Sequence, residues 1–381
     1  MSTVDRKNLD YQGKNVLVTG HTGFKGSWLV MWLKALGADV TGYSLEPNTT
    51  PSIFEAAKLS NKVNHVIGDI RDEEHLEEVF KKFNPEYVFH LASQPIVRES
   101  YKDPKYTYET NIMGLVNLFE VVRRTPSVKT MLNITSDKCY ENKEWIWGYR
   151  ENDPLGGNDP YSSSKACSEI VTNAYRKSFF SQQALSKNKV AIASARAGNV
   201  VGGGDWAKDR IIPDCIRALT EQMAIEIRNP HAIRPWQHVL EPIAGYLWLG
   251  LLLRDNTEKY TSAWNFCPNK GQDIAVNDLV DLLIQNWGEG SWKPAKDADL
   301  QPEEAHYLKL DCSKAHHQLH WHGLLTLEET IKMTISWYRC HYDQSVDIYE
   351  FSLKQIEQYI SIAQERNMKW LSSLEITNQF R

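Results

Sequence analysis

Apolar positions along the chain alternate between two periods. Asn15 to Thr19 (NVLVT) is a short, β-branched run that stops at Gly20, and the next segment carries apolar residues at helical spacing as far as Gly37. This reads as a strand, a glycine turn and a helix. Further strand-like runs lie at Asp39 to Tyr43, Val63 to Ile67, Tyr87 to His90, Thr130 to Ile134 and Val190 to Ala195, with helical segments between them. The alternation predicts an α/β fold, a doubly wound, Rossmann-like parallel sheet covered on both faces. Beyond Gly198 the regularity gives way to Gly- and Pro-containing stretches (GGGDW, RNPHAIRPWQH, CPNKGQD), the mark of a smaller, irregular α/β domain. The predicted division is a dinucleotide-binding domain over 1–197, a discontinuous substrate-binding domain over 198–331 and a C-terminal helical extension over 332–381. The run AWNFC returns residues 262–268 to the first sheet.

Composition narrows the class. At roughly 150 residues per domain, 381 residues suggest two or three domains. No apolar run approaches the roughly 20 residues of a membrane span, and the polar opening MSTVDRKNLDYQGK lacks a signal-peptide pattern, so the expectation is a soluble, cytoplasmic protein with no membrane partner. The six cysteines are scattered and form no CxxC pair, which predicts neither a metal site nor a disulfide framework. A net charge of -5 gives no reason to expect nucleic acid as a partner. The 13 tryptophans read more simply as packing than as stacking surfaces.

The turn Gly20-His-Thr-Gly23-Phe-Lys-Gly26 is one residue wider at its first step than the GxGxxG fingerprint, but it sits between a strand and a helix as that fingerprint does. Glycines there let backbone amides and a helix N-terminus approach a pyrophosphate. Gly20, Thr22, Gly23, Phe24, Lys25 and Gly26 are therefore candidate cofactor contacts, and Asp69 with Ile70 follows a strand where a carboxylate meets an adenine amino group. The second strand lacks an acid at its tip, although Glu46 stands slightly further on. No arginine sits beside it for a 2′-phosphate, which favours NAD over NADP.

Two tyrosines carry a lysine four residues on, in YKDPK and YSSSK. Pro104 interrupts the first, whereas Pro160 precedes the second at a natural helix start, which selects Tyr161 and Lys165. On one helix face the ammonium is expected to lower the phenol's pKa by roughly 1 to 3 from about 10, making Tyr161 a base for a sugar hydroxyl.

Directly after the strand MLNIT comes Ser136-Asp137-Lys138, at the strand end where an α/β sheet places its ligands. Together, TGxxGFxG at Thr19 to Gly26, HLAS at His90 to Ser93, Asn111 in ETNIMG, Ser136 and YSSSK resemble the extended short-chain dehydrogenase/reductase family over most of the chain. Within it, sugar-nucleotide 4,6-dehydratases carry a hydroxyl residue, Asp and a second acid after this strand. The lysine at 138 departs from that pattern but is similar to the CDP-glucose branch, as are the stretches from Trp147 to Lys165 and from Arg234 to Pro242.

The resemblance implies an NAD-dependent internal redox cycle on a CDP-linked hexose: oxidation at C4, loss of water across C5 and C6, and hydride return to C6, leading to deoxysugars of surface polysaccharide. Ser136, Asp137, Lys138, Tyr161 and Lys165 become the catalytic candidates. Asp137 serves as the acid that releases the C6 hydroxyl. Lys138 either loses its proton to act as the C5 base or orients Asp137, and the second is favoured. Leu91, Ala92, Ser93 and Asn111 join the cofactor contacts, while Gln94, Asn199, Arg234 and Arg196 face the substrate; guanidinium suits a diphosphate. For Arg196 a salt-bridged place at the sheet end is the competing reading. A homodimer or higher homo-oligomer is expected, its contact formed by helices flanking Asn111 and Tyr161. The alternatives are an epimerase or reductase of the same family, against which Asp137 speaks, and a non-catalytic dinucleotide sensor, against which the Tyr161/Lys165 pair speaks.

Overall fold

Seven of the apolar runs pair into one wholly parallel sheet in the computed structural model, which describes residues 10–181, 189–269, 273–295, 307–344, 346–368, 370 and 374. The strands are β1 (Asn15–Thr19), β2 (Asp39–Ser44), β3 (Asn64–Ile67), β4 (Tyr87–His90), β5 (Thr130–Ile134), β6 (Ala191–Ala197) and β7 (Ala263–Phe266). Their spatial order is β7-β6-β5-β4-β1-β2-β3. The order reverses between β1 and β4, which leaves a crevice at the carboxyl ends of these two strands, the position at which open α/β sheets bind ligands. β7 pairs with β6 from Ala263 against Ser194 to Phe266 against Ala197, although more than 60 residues separate them in the chain.

Helix α1 (Phe24–Ala35) is apolar on all sides and fully buried from Trp28 to Leu33. Such a helix needs cover on both faces. The sheet supplies one, and a helix near the C-terminus, Ile348–Glu365, supplies the other, with Tyr359 edge-on to Trp32 at 5.8 Å. The helix Leu240–Asp255 is buried in the same way, at the back of β5 and β6. Among the described residues no helix is long and apolar enough to cross a membrane.

Outside the sheet, three two-stranded ladders (200–201 with 237–238, 233–235 with 273–275, 225–227 with 292–294) frame the irregular region. The C-terminal helices begin earlier than the expected 332. A capping box between Thr326 and Glu329 starts the helix Leu327–Asp343. Its Trp337 and Tyr338 belong to the same continuous hydrophobic core as the sheet. Trp28, Trp32, Trp264, Trp321 and Trp337 are all fully buried, which accounts for much of the tryptophan content by packing.

One expectation is corrected here. Cys267, just after β7, is joined to Cys312, with their Cα atoms 6.1 Å apart. The residues are 45 positions apart, and only the return of β7 to the sheet brings them together, so no local spacing marks the pair.

Candidate active site

A cavity of about 860 Å³ opens at the carboxyl ends of the strands. It is lined by Gly20, Thr22 and Gly23 to Gly26, by Asp69 and Ile70, by Leu91 to Gln94, by Ser136 to Lys138, and by Tyr161, Lys165, Asn199 and Arg234. Two of the sequence-derived candidates, Asn111 and Arg196, lie outside this lining.

The glycine turn owes its form to close approach. Gly20 has φ +75°, and a Cβ there would sit 2.6 Å from the Ala92 nitrogen; one on Gly26 would lie 2.1 Å from the Gly20 carbonyl oxygen. Gly23 precedes α1 with extended backbone and no side-chain cap, and the first turn holds no acidic residue. The amides that open α1 therefore keep their donors for an anion, and the helix dipole adds to the attraction. This uncapped N-terminus fits the diphosphate of NAD. Thr19 Oγ1 contacts His90 Nδ1 (2.7 Å) and accepts from the amides of Leu91 (3.2 Å) and Ala92 (3.3 Å), fixing the turn after β4 against the glycines. Asp69 is less available than the sequence suggests. Arg71 holds its carboxylate through three side-chain bonds and one amide bond, and these hydrogen bonds keep its pKa below the usual carboxylate range.

At the end of β5, Ser136 caps a single turn over Asp137–Cys139. Its hydroxyl accepts from the Lys138 amide (3.3 Å) and donates to Asp137 Oδ1 (2.8 Å). Asp137 is buried and Lys138 half-buried. Asp159 caps the helix Pro160–Ser178, accepting from the Ser162 amide at 2.9 Å, and Pro160 sits in the first turn. This start places Tyr161 and Lys165 on one face, with Lys165 Nζ 5.8 Å from the Tyr161 ring centre.

The expected lowering of the Tyr161 pKa is not what the structure gives. Burial pushes the phenol up to about 12; Asp137 and Asp159 add to this, while a Ser136 hydrogen bond and the Arg210 charge work against it. Burial, with Lys25 nearby, pushes the Lys165 pKa down to about 8. Lys25 is also pushed down to about 8, by burial and by Arg210, against the pull of Asp137 and Asp205.

Arg196 is corrected as a substrate contact. It is a buried sheet-end residue that pairs with Glu169 at 2.8 Å and donates to the Tyr140 hydroxyl at 2.6 Å. Thr135 and Ser194 donate to the same Glu169 carboxylate. A buried guanidinium needs such a partner, and Glu169, on the helix that carries Tyr161, provides it. Asn111 is likewise corrected as a direct contact. It sits in a π-helical turn, Glu109–Met113, where its amide accepts from the Gln94 amide (2.7 Å) and donates to the Gln94 carbonyl (3.1 Å) and Ser164 Oγ (2.9 Å). Its side chain thus ties one cavity wall to the helix Pro160–Ser178. Gln94 lines the cavity, but its side-chain amide bonds Thr107 and the Ile96 amide.

The sequence reading overlooked the basic far wall. Arg98, Lys208, Arg210 and Arg228 join Arg234 in the lining. Asp209 pairs with Arg98 (2.8 Å) and Arg228 (3.1 Å), and buried Asp205 pairs with Arg210 (2.8 Å). The cluster of charges in GGGDWAKDR was the available signal.

Residues 17–334 match the family described as GDP-mannose 4,6 dehydratase. The chain is 49% identical over 352 residues to the CDP-glucose 4,6-dehydratase of Salmonella typhimurium, covering 92% of this chain and 97% of that protein. Among solved structures it is similar to dTDP-glucose 4,6-dehydratase of Bacillus anthracis in complex with NAD, at TM-score 0.69 and 20% identity over 87% of this chain and 98% of that one. It is also similar to UDP-glucose 4-epimerase of Thermotoga maritima with UDP-glucose, at TM-score 0.69 and 24% identity over 85% of this chain and 98% of that one. The low identities of these last two speak to fold alone.

Proposed function

Since the chain belongs to the GDP-mannose 4,6 dehydratase family, within the extended short-chain dehydrogenases, we propose that it is an NAD-dependent hydro-lyase converting CDP-D-glucose to CDP-4-keto-6-deoxy-D-glucose. The observation that carries the reaction is the meeting of Asp137 and Tyr161 in one cavity with the glycine turn. The choice of CDP rests on the 49% identical relative. In this reading residues 1–197 with 262–268 hold the cofactor, 198–331 hold the sugar nucleotide, and 332–381 brace the two. The enzyme works in the cytoplasm as a homodimer or larger homo-oligomer, and its product feeds deoxysugars of surface polysaccharide.

Bound on the glycine turn, NAD supplies hydride acceptance and return. Tyr161 removes the proton of the sugar C4 hydroxyl as hydride leaves C4. The Ser136 hydrogen bond favours the phenolate against the burial that raises it, and a positively charged nicotinamide ring held beside it would add to that. The resulting C4 carbonyl makes the C5 proton acidic. Asp137, oriented by the Ser136 hydroxyl and by Lys138, takes the C5 proton and delivers it to the departing C6 hydroxyl, which leaves as water. Return of the hydride to C6 would be matched by a proton to C5 equivalent to the one Tyr161 took from the C4 hydroxyl, so that neither Tyr161 nor the cofactor would be changed over the cycle. Arg234 and the basic wall meet the diphosphate, whose paired oxygens suit the planar fork of guanidinium donors.

The test is incubation of the protein and NAD with CDP-, dTDP-, GDP- and UDP-linked hexoses separately, following loss of the mass of one water. Product from CDP-glucose alone is expected. Product from another nucleotide sugar alone overturns the CDP assignment, and epimer formation without water loss overturns the dehydratase reading.

A further inference from the structure

β5 and β6 run parallel in a register that pairs Asn133 with Ser194 and Ile134 with Ala195. Continued past both strand ends, it sets Asp137 opposite Gly198, the first residue after β6. The approach is close. A Cβ built on Gly198 would lie 3.1 Å from Asp137 Oδ2 and 3.8 Å from the carboxyl carbon. Apart from the chain neighbours of Gly198, no other described heavy atom comes within 4 Å of that point. Asp137 Oδ1 is engaged by the Ser136 hydroxyl at 2.8 Å, whereas Oδ2 takes no hydrogen bond from a described residue. Asp137 and Gly198 both line the cavity.

The backbone does not ask for glycine at 198. Gly20 and Gly204 adopt positive φ and Gly198 does not, so alanine can take its conformation. Around the same cavity, Gly20, Gly26, Gly202 and Gly204 are each blocked within 3 Å by backbone or packed side chains. A methyl group on Gly198 would meet only the carboxylate and the cavity. We propose that Gly198 is a specificity-determining residue, its missing side chain leaving the space in which the C6 hydroxymethyl group of the hexose reaches Asp137 Oδ2. This rests on the dehydratase reading, in which the proton taken from C5 passes to the C6 oxygen as the C6–O bond breaks and the C5–C6 double bond forms. Hydroxyl-to-oxygen hydrogen bonds span about 2.5–3.0 Å, and the point beside Gly198 lies at the edge of that reach from Oδ2. Ser136 and Gly198 thus divide the carboxylate: the protein fixes one oxygen, and bare backbone faces the other. A β-carbon and a hydroxymethyl group cannot share that space, and the β-carbon would also make the carboxylate give by a few tenths of an ångström.

The test is Gly198→Ala, read with two ligands that differ only at C6. Isothermal titration of CDP-glucose and of CDP-xylose, the same sugar without the hydroxymethyl group, compares native and variant protein with reduced cofactor bound, so that no turnover occurs. CDP-glucose is expected to bind the variant about 10-fold more weakly, the scale of one methylene of misfit, and CDP-xylose within about twofold of native. The CDP-xylose affinity also serves as the control for folding. Equal weakening of both ligands, or weakening of neither, overturns the proposal. In turnover with NAD, the variant is expected to remove water from CDP-glucose about 100-fold more slowly, while CDP-xylose reduces NAD at the native rate. A matching fall in NAD reduction marks general damage to the site and overturns the proposal too. If the native enzyme removes water from no nucleotide sugar, the function reading fails, and the difference in binding between the two ligands still decides whether Gly198 makes room for C6.

Discussion

Removing either member of the Arg196–Glu169 pair should destabilise the protein without impairing substrate affinity. The pair spans 2.8 Å, with side-chain exposures of 3% and 2%, so neither charge has water to fall back on. Breaking a buried pair by removing one partner costs about 3–5 kcal/mol, because the other charge is left uncompensated. At a little over 1 °C per kcal/mol for a chain of 381 residues, Arg196→Met or Glu169→Leu should melt about 4–6 °C below the parent. The double variant removes the stranded charge. It still deprives Thr135, Ser194 and Tyr140 of a partner, at about 1 kcal/mol each, so it should cost about 3 kcal/mol at most rather than the sum of the single losses. Thermal melts of all four proteins and the KM of Arg196→Met for CDP-glucose decide the matter. A single variant that melts within about 1 °C of the parent with a clearly raised KM would refute the reasoning and return Arg196 to the substrate.

Glu241 is a buried carboxyl that accepts from the Leu324 and Leu325 amides and meets the Tyr359 hydroxyl; burial pushes it up to about 7 from 4.5. The stability it contributes is therefore full below about 4.5 and falls by about 3 kcal/mol as pH rises through about 7; Glu241→Gln should be more stable than the parent at pH 8 and nearly equal at pH 4.5, and an equal difference at both pH values counts against the assignment. Lys138→Ala should slow water loss roughly 100-fold while leaving C4 oxidation visible as transient absorbance of the reduced nicotinamide; full retention of dehydration removes Lys138 from the mechanism. Met113 and Ile170 are 52% and 54% exposed on the helices flanking Asn111 and Tyr161. Met113→Glu with Ile170→Lys should shift sedimentation toward monomer, and an unchanged assembly moves the subunit contact elsewhere.

The two halves of the site differed in legibility for a physical reason. The glycine turn, the Ser136 turn and the Tyr161/Lys165 pair each lie within a few residues of a strand end or helix start, where backbone requirements leave a local trace: Gly20 at φ +75°, Asp159 as a cap, Pro160 in the first turn. Their strands were read to within two residues at each end. The pair Arg196–Glu169 left no such trace, since its partners sit on β6 and on a helix 27 residues earlier, and sequence alone could not tell a sheet-end ion pair from a phosphate clamp. The sign of the Tyr161 pKa change failed for a related cause. Spacing puts the ammonium near the phenol, but burial, which spacing does not report, lowers the lysine's pKa and penalises the phenolate.

The same reasoning explains why the C-terminal helices offered no functional reading. Their sequence shows only an amphipathic pattern and a capping box, yet Trp337 fills the space that Gly203 leaves and Tyr338 fixes the carbonyl of Asp205. A side chain at position 203 would collide with the indole, so the glycine there serves packing between distant segments rather than a turn. That packing orients the loop, the loop presents Arg210, and the charge reaches the cavity with its position already set. What these helices hold in place is set by contact across more than 100 residues of chain, which periodicity does not report.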